Sequence, residues 1–149
     1  MIIVTRNLSP DDAAWLRMRE ALWPDADRDA HLDEMSVSMM YPETRATFLA
    51  HTEKGLVVGF AEVSIRSEPV NGARTTPVGF LEGLYVHPDY RRHGAAGKLV
   101  GKVEQWVLEQ GCHELASDTD VANTVSQAVH TALGFEETER VVYFRKELG

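Results

Sequence analysis

"YVHPDYRRHGAAGKLV", residues 85–100, is the stretch on which the fold turns. It begins with aromatic and β-branched residues and passes Pro88. It then gathers Arg91, Arg92 and His93 beside Gly94 and two alanines, and runs through Lys98 into a helical pattern. The order it spells is strand, turn, helix. A helix N-terminus leaves its first backbone N–H groups without intrahelical acceptors, and their partial positive charge suits an anion. Gly94, Ala95, Ala96 and Gly97 keep bulky side chains off those amides, and Arg91, Arg92 and Lys98 are expected to add charge at the rim. The predicted cargo is a phosphate or pyrophosphate. Two common phosphate loops are excluded. Gly97-Lys98 and Gly101-Lys102 are followed by Leu99 and Val103, where a Walker loop needs Ser or Thr. "GAAGKLVG" also lacks the G-x-G-x-x-G spacing of a dinucleotide fold.

This basic island stands in an acidic chain, since 15 Lys and Arg against 23 Asp and Glu give a net charge of −8. The balance argues against nucleic acid, which needs a basic face. It leaves two readings, a cleft that draws cationic ligands and plain solubility. A length of 149 residues suggests a single domain, 1–149, able to bury its own core. "MIIVTRNLSP" has too short an apolar run for a signal peptide, and no stretch is long enough to span a membrane. Cys112 is the only cysteine, so no internal disulfide forms and a reducing, cytoplasmic setting fits. It reads as a small packing residue, with a nucleophile as the alternative.

Outward from the opening stretch, "IIVTR" reads as a first strand. Ser9 is expected to cap the next helix, with Pro10 at its first position and Asp12 completing a capping box. That helix carries Ala14, Trp15, Met18 and Leu22 until Pro24 stops it. A second helix is expected over 30–40. "ATFLAHT" and "LVVGFAEVSIR" read as a hairpin turning at Glu53-Lys54-Gly55, and Asn71-Gly72 marks a loop. "VGFLEGLYV" is a strand in which Gly83 signals a bulge or a close approach by something else. The helix after the turn places Leu99, Val103, Trp106, Val107 and Gln110 on one side and ends at Gly111. "HELASD" is a short strand, Asn123 caps the helix "NTVSQAVHTAL", and "ETERVVYFRKEL" is expected to form a long final strand. The order predicts an α/β architecture on a mixed sheet.

Arg91 to Ala96 spell R-x-x-G-x-A after a V-x-P, with Leu133-Gly134-Phe135 further on. This resembles the acetyl-CoA turn of the Gcn5-related N-acetyltransferases, and the likeness runs from the first strand to the last. It implies a mixed, mostly antiparallel sheet flanked by helices. It implies acetyl-CoA as co-substrate, its pyrophosphate held by Arg92, His93, Gly94, Ala95, Ala96 and Gly97. Pantetheine would lie along Leu84, Tyr85 and Val86, where a backbone N–H stabilises the oxyanion, and Asn123 would hydrogen-bond the cofactor arm. No metal is expected. Where many members of the family have a tyrosine as general acid, this chain has His130. Its two readings are an acid and a half-buried helix residue, and Tyr143 is a further donor candidate.

"ALWP", "FAEVSIRSEPVNG", "FLEGLYV", "ASDTDVANTVSQAVHTALGFEETERV" and "YFRKEL" resemble bacterial aminoglycoside 6′-N-acetyltransferases. This resemblance implies acetyl transfer to the 6′-amine in a ternary complex, with Glu82 and Asp118 in the acceptor pocket and Trp23 and Glu139 also touching antibiotic. It implies a homodimer as well. Chemistry agrees for the carboxylates, since two of them can hold neighbouring ammonium groups and Glu82 can take the proton the amine must lose. The rival readings are the same fold acting on a polyamine or a protein N-terminus, and a non-catalytic acyl-CoA sensor.

Overall fold

The alternating runs pair in chain order. A computed structural model covers residues 1–149. Strands β1 (Ile2–Arg6), β2 (Arg45–Thr52), β3 (Val57–Arg66) and β4 (Val78–Val86) are antiparallel neighbours, and β5 (Leu115–Ala116) joins β4 in parallel. The helices are α1 (Ala13–Leu22), α2 (Arg28–Met40), α3 (Ala95–Glu109) and α4 (Thr124–Ala132). This is the mixed, mostly antiparallel sheet with flanking helices that the sequence implied. The chain divides into two compact units, 1–117 and 118–149. No helix is long and apolar enough to cross a membrane.

Strand alternation sets the two layers of the first unit. Phe60 joins Trp15, Met18, Met35 and Leu49 in a cluster under α1 and α2, while its neighbour Gly59 faces Leu99 of α3. The stripe of α3 buries Leu99, Val100, Val103, Trp106 and Val107, and burying each of the larger side chains stabilises by about 1.5–3 kcal/mol. A Cβ on Gly79 would lie 2.7 Å from the methyls of Val107, so glycine there lets α3 approach β4. Cys112 is buried, in keeping with a packing role.

Several expected boundaries move. Helix α1 starts at Ala13, and Asp12 is its cap, accepting from Trp15 N–H at 2.9 Å. Ser9 and Pro10 lie outside it, because Ser9 is engaged in a local turn with Asn7 and Asp11 that competes with helix. Helix α2 begins at Arg28 rather than Ala30, since Asp27 caps it through Ala30 N–H at 2.8 Å. Gln110 is exposed and caps α3 instead of extending its apolar stripe. The final strand does not form. Residues 135–149 enter no ladder, and Val142, Tyr143, Phe144 and Leu148 are strongly exposed. β-propensity marks a side chain that suits a pleated, half-buried surface, and a strand still needs a neighbour to pair with.

Candidate active site

The β3–β4 ladder slips once. Glu62 pairs with Gly83 and Val63 with Leu81, so the extra residue of the bulge is Glu82, not Gly83 as the glycine suggested. A bulge re-aims side chains, and this one reverses the alternation of β4. Before it, Gly79 faces Val107 of α3. After it, Gly83 faces Trp23 at the end of α1, although four residues along a regular strand would return it to the α3 side. A Cβ on Gly83 would come within 2.5 Å of the Trp23 ring, so the close approach is made by that indole.

Glu82 shares the face of Phe80, two residues before it, and lies beside Ser64 and Arg66 of β3. Ser64 Oγ donates to Oε2 at 2.5 Å, and Arg66 donates from Nη2 to Oε1 at 2.7 Å and from Nε to Oε2 at 3.0 Å. Trp23 is half-buried, packed edge-on to Phe60 and stacked on His31. Glu82, Gly83 and Trp23 thus build one wall, two of them sequence-predicted acceptor residues.

Behind that wall lies a charged cluster that sequence reasoning missed. Arg19 is 1% exposed. It grips both carboxylate oxygens of Glu62, pairs with Glu34, and lies 4.8 Å from the centre of the Trp23 ring. Its Nε donates to His31 Nδ1 at 3.2 Å, which leaves the imidazole proton on Nε2, and Nε2 donates to the Trp23 carbonyl at 3.2 Å. Trp15 Nε1 donates to Glu62 at 2.9 Å. Burial pushes the Glu62 carboxyl above the ordinary carboxylate range, outweighing the opposing pull of Arg19 and Trp15. The only signal in the sequence was an arginine on the apolar side of α1, one residue after Met18.

The turn after β4 is built as expected in its backbone, and two of its cations also bind carbonyls of the sheet. Gly94 caps α3 with φ +81, and Arg92 has φ +67. Lys98 N–H donates to Gly94 O at 3.1 Å, so the N–H groups of Ala95, Ala96 and Gly97 belong to the first turn and have no intrahelical acceptor. Cβ atoms on Gly94 and Gly97 would meet nothing within 4 Å, which fits an anion seated on these amides. Of the expected rim cations, Arg91 donates from Nε to Val86 O at 2.8 Å, and Lys98 Nζ donates to Ile2 O at 2.9 Å. Both tie the turn to the sheet while staying exposed, as Arg92 and His93 are. β5 pairs with β4 only at Gly79 and Phe80, so no β5 ladder covers Leu84, Tyr85 and Val86. A strand edge followed by three helix amides fits an extended pantetheine arm ending in a pyrophosphate.

The remaining candidates belong to the second unit. Asp118 and Glu139 are exposed, and Asn123 caps α4 by accepting from Ser126 N–H at 3.0 Å. His130 is half-buried. Its Nδ1 donates to Ser126 O at 2.8 Å and its ring packs edge-on to Phe135 at 5.1 Å, which supports the packing reading. Tyr143 is exposed and lies in no strand.

A bulged strand that opens onto a glycine turn and helix amides is the frame of an acyl-CoA-dependent transferase. The model of the acetyltransferase (GNAT) family matches residues 13–135, and the chain belongs to that family. Aminoglycoside N(6′)-acetyltransferase type 1 of Serratia marcescens is 50% identical to it over 149 residues, the whole of both chains. The enzyme of the same name from Acinetobacter genomosp. 13 is 50% identical over 137 residues, 92% of each chain. Among solved structures, AAC(6′)-Iy in complex with the bisubstrate analogue CoA-S-monomethyl-acetylneamine matches with a TM-score of 0.92 and 41% identity over 99% of both chains. AAC(6′)-Ih from Acinetobacter baumannii matches with a TM-score of 0.92 and 45% identity over the full length of both.

Proposed function

We infer that the chain transfers acetyl from acetyl-CoA to the 6′-amine of aminoglycoside antibiotics, by direct attack in a ternary complex. The observation that carries this is the shape of β4. One bulge sets Gly83, packed on Trp23, on the same face as Glu82, and the next residues, Leu84 to Val86, lie beyond the β5 ladder. A carboxylate for an amine and a backbone edge for an acyl thioester therefore sit on one strand. The relatives at 50% identity support the acceptor class.

The thioester supplies an activated acyl group whose leaving thiol has a pKa near about 8.5 by analogy with cysteine, so no strong acid is required. The chain's own residues do the rest. Glu82 and Asp118 bind ammonium groups, and Glu82 accepts the proton released by the 6′-amine, directly or through a water. A backbone N–H among Leu84, Tyr85 and Val86 meets the oxyanion. Arg92, His93 and the amides of Gly94 to Gly97 hold the pyrophosphate, and Asn123 holds the arm. Trp23 and Glu139 contact the antibiotic. The bond formed is N–C, the bond broken is C–S, and no enzyme nucleophile is acylated.

The chain acts as one acetyltransferase domain, in the cytoplasm, on a small cationic substrate rather than on nucleic acid or a membrane. A net charge of −8 and a single buried cysteine support this. It works as a homodimer, supported by the exposed Val142, Tyr143, Phe144 and Leu148, whose apolar surface a second copy would cover.

Two measurements test the reading. Steady-state kinetics with drug pairs that differ only in 6′-amino against 6′-hydroxyl should show acetylation of the amine and little of the alcohol. Equal turnover of a pair would remove the 6′-amine assignment, and turnover of spermidine alone would move the acceptor to polyamines. At the turn, Gly94→Val should weaken acetyl-CoA binding about tenfold or more, the cost of losing one charge-assisted hydrogen bond. The valine is also strained at φ +81, yet it meets no protein atom, so the protein should stay folded. Calorimetry with unchanged acetyl-CoA affinity would displace the pyrophosphate from this turn.

A further inference from the structure

We propose that Arg66 is a resident counter-ion of the acceptor site, which holds the Glu82 carboxylate in place and weakens its grip on an arriving ammonium group. The proposal rests on reading Glu82 as the acceptor carboxylate. An ionised carboxylate offers about four lone-pair sites. Arg66 Nη2 and Nε take one on each oxygen, at 2.7 and 3.0 Å, and Ser64 Oγ takes a further one on Oε2 at 2.5 Å. One site is left, on Oε1.

Arg66 is also set in place. Its guanidinium lies 3.5 Å from the centre of the Phe80 ring, and a two-pronged contact to a carboxylate fixes its plane. The pair is partly shielded, with the Glu82 side chain 33% exposed and that of Arg66 43% exposed. Glu62, the other carboxylate on this face of β3, is closed off by Arg19 and Trp15. An amine arriving at Glu82 therefore meets a carboxylate whose charge is already balanced. A monocation that displaces Arg66 exchanges one ion pair for another and gains little. If it binds beside Arg66, it brings like charges together. The cost falls on the ammonium that meets Glu82, in a monoamine and in a polycation alike.

The probes are kanamycin and 6-amino-6-deoxyglucose, which carries a single ammonium on the equivalent carbon. Arg66→Gln removes the charge and keeps an amide that can still donate to Glu82. The Ki of 6-amino-6-deoxyglucose against kanamycin should fall about fivefold, the upper range for a partly exposed ion pair. The KM for kanamycin should fall by a similar factor, because its 6′-ammonium meets the same carboxylate and its other ammonium groups add independently. The KM for acetyl-CoA should not move. Arg66→Lys, which keeps the charge, should keep both constants near the wild-type values, and Arg66→Gln should have no effect once Glu82→Gln is present. If Glu82→Gln leaves the kanamycin KM unchanged, the acceptor reading of Glu82 fails. If Glu82→Gln raises that KM but Arg66→Gln leaves both constants where they were, the counter-ion proposal alone is overturned.

Discussion

Arg19→Met is expected to cost about 3–5 kcal/mol of stability at neutral pH, the penalty for stripping one partner from a buried ion pair. Methionine matches the aliphatic stem of arginine and fills much of the space, so the loss is electrostatic rather than a cavity effect. What remains is Glu62, buried with only the Trp15 N–H to satisfy it. The pH dependence identifies the cause. Glu62 already titrates above the ordinary carboxylate range because burial disfavours its charge. With folded pKa above unfolded pKa, the folded state binds more protons than the unfolded chain in the window between the two. The contribution of Glu62 is therefore fully present below the unfolded value and is lost as pH rises through the folded value. Removing the guanidinium, which pulls the carboxyl down, pushes the folded value higher and extends that window upward. The deficit of Arg19→Met should accordingly be larger at pH 8 than at pH 5. Urea unfolding at both pH values measures it. A loss below about 1 kcal/mol at neutral pH, typical of an exposed pair, would mean that the cluster carries little strength. So would a deficit that does not vary with pH.

The cluster also marks where sequence reading stops. Local signals were legible because their causes are local. The turn at Gly94, the hairpin at Gly55 and the cap at Asn123 each depend on residues a few positions apart. The layers followed from periodicity, since Phe60 and the stripe of α3 are ordinary apolar repeats. The partners of the site were not legible. Arg19 meets Glu62 across 43 positions of chain and Arg66 meets Glu82 across 16, and no local pattern selects one carboxylate among many. The bulge was half legible. Glycine betrayed a disturbance in β4, but which residue is extra depends on the register with β3, and the answer was Glu82. Arg91 and Lys98 show the same limit. Their charge was visible, whereas their use as ties to Val86 and Ile2 depends on where the sheet edge lies. The tail failed for the opposite reason. "ETERVVYFRKEL" has the composition of a strand, and composition does not supply a partner.

Gly83→Ala should be the most damaging single-methyl change in the acceptor wall. The new Cβ would lie 2.5 Å from Cη2 and 2.7 Å from Cζ2 of Trp23, closer than side chains tolerate, and neither side can easily give way. Gly83 is held in the β3 ladder opposite Glu62. Trp23 is held at its backbone by His31 and at its ring by Arg19 and Phe60. The indole must swing out or the end of α1 must lift, and either movement displaces the surface beside Glu82 that we propose meets the antibiotic. Overpacking of this kind costs about 1–3 kcal/mol of stability. Misplacing substrate by an ångström can cost about 10²-fold in rate. The expected result is therefore a fall of about 10²-fold in kcat/KM for kanamycin. A double-mutant cycle isolates the cause. In a Trp23→Ala background the methyl has room, so Gly83→Ala should there add little to the loss that Trp23→Ala causes by itself. Unchanged kcat/KM in the single variant would show that the wall yields to the methyl without harm. A loss that persists in full without the indole would place the role of Gly83 in the bulge backbone and not in the space it leaves for Trp23.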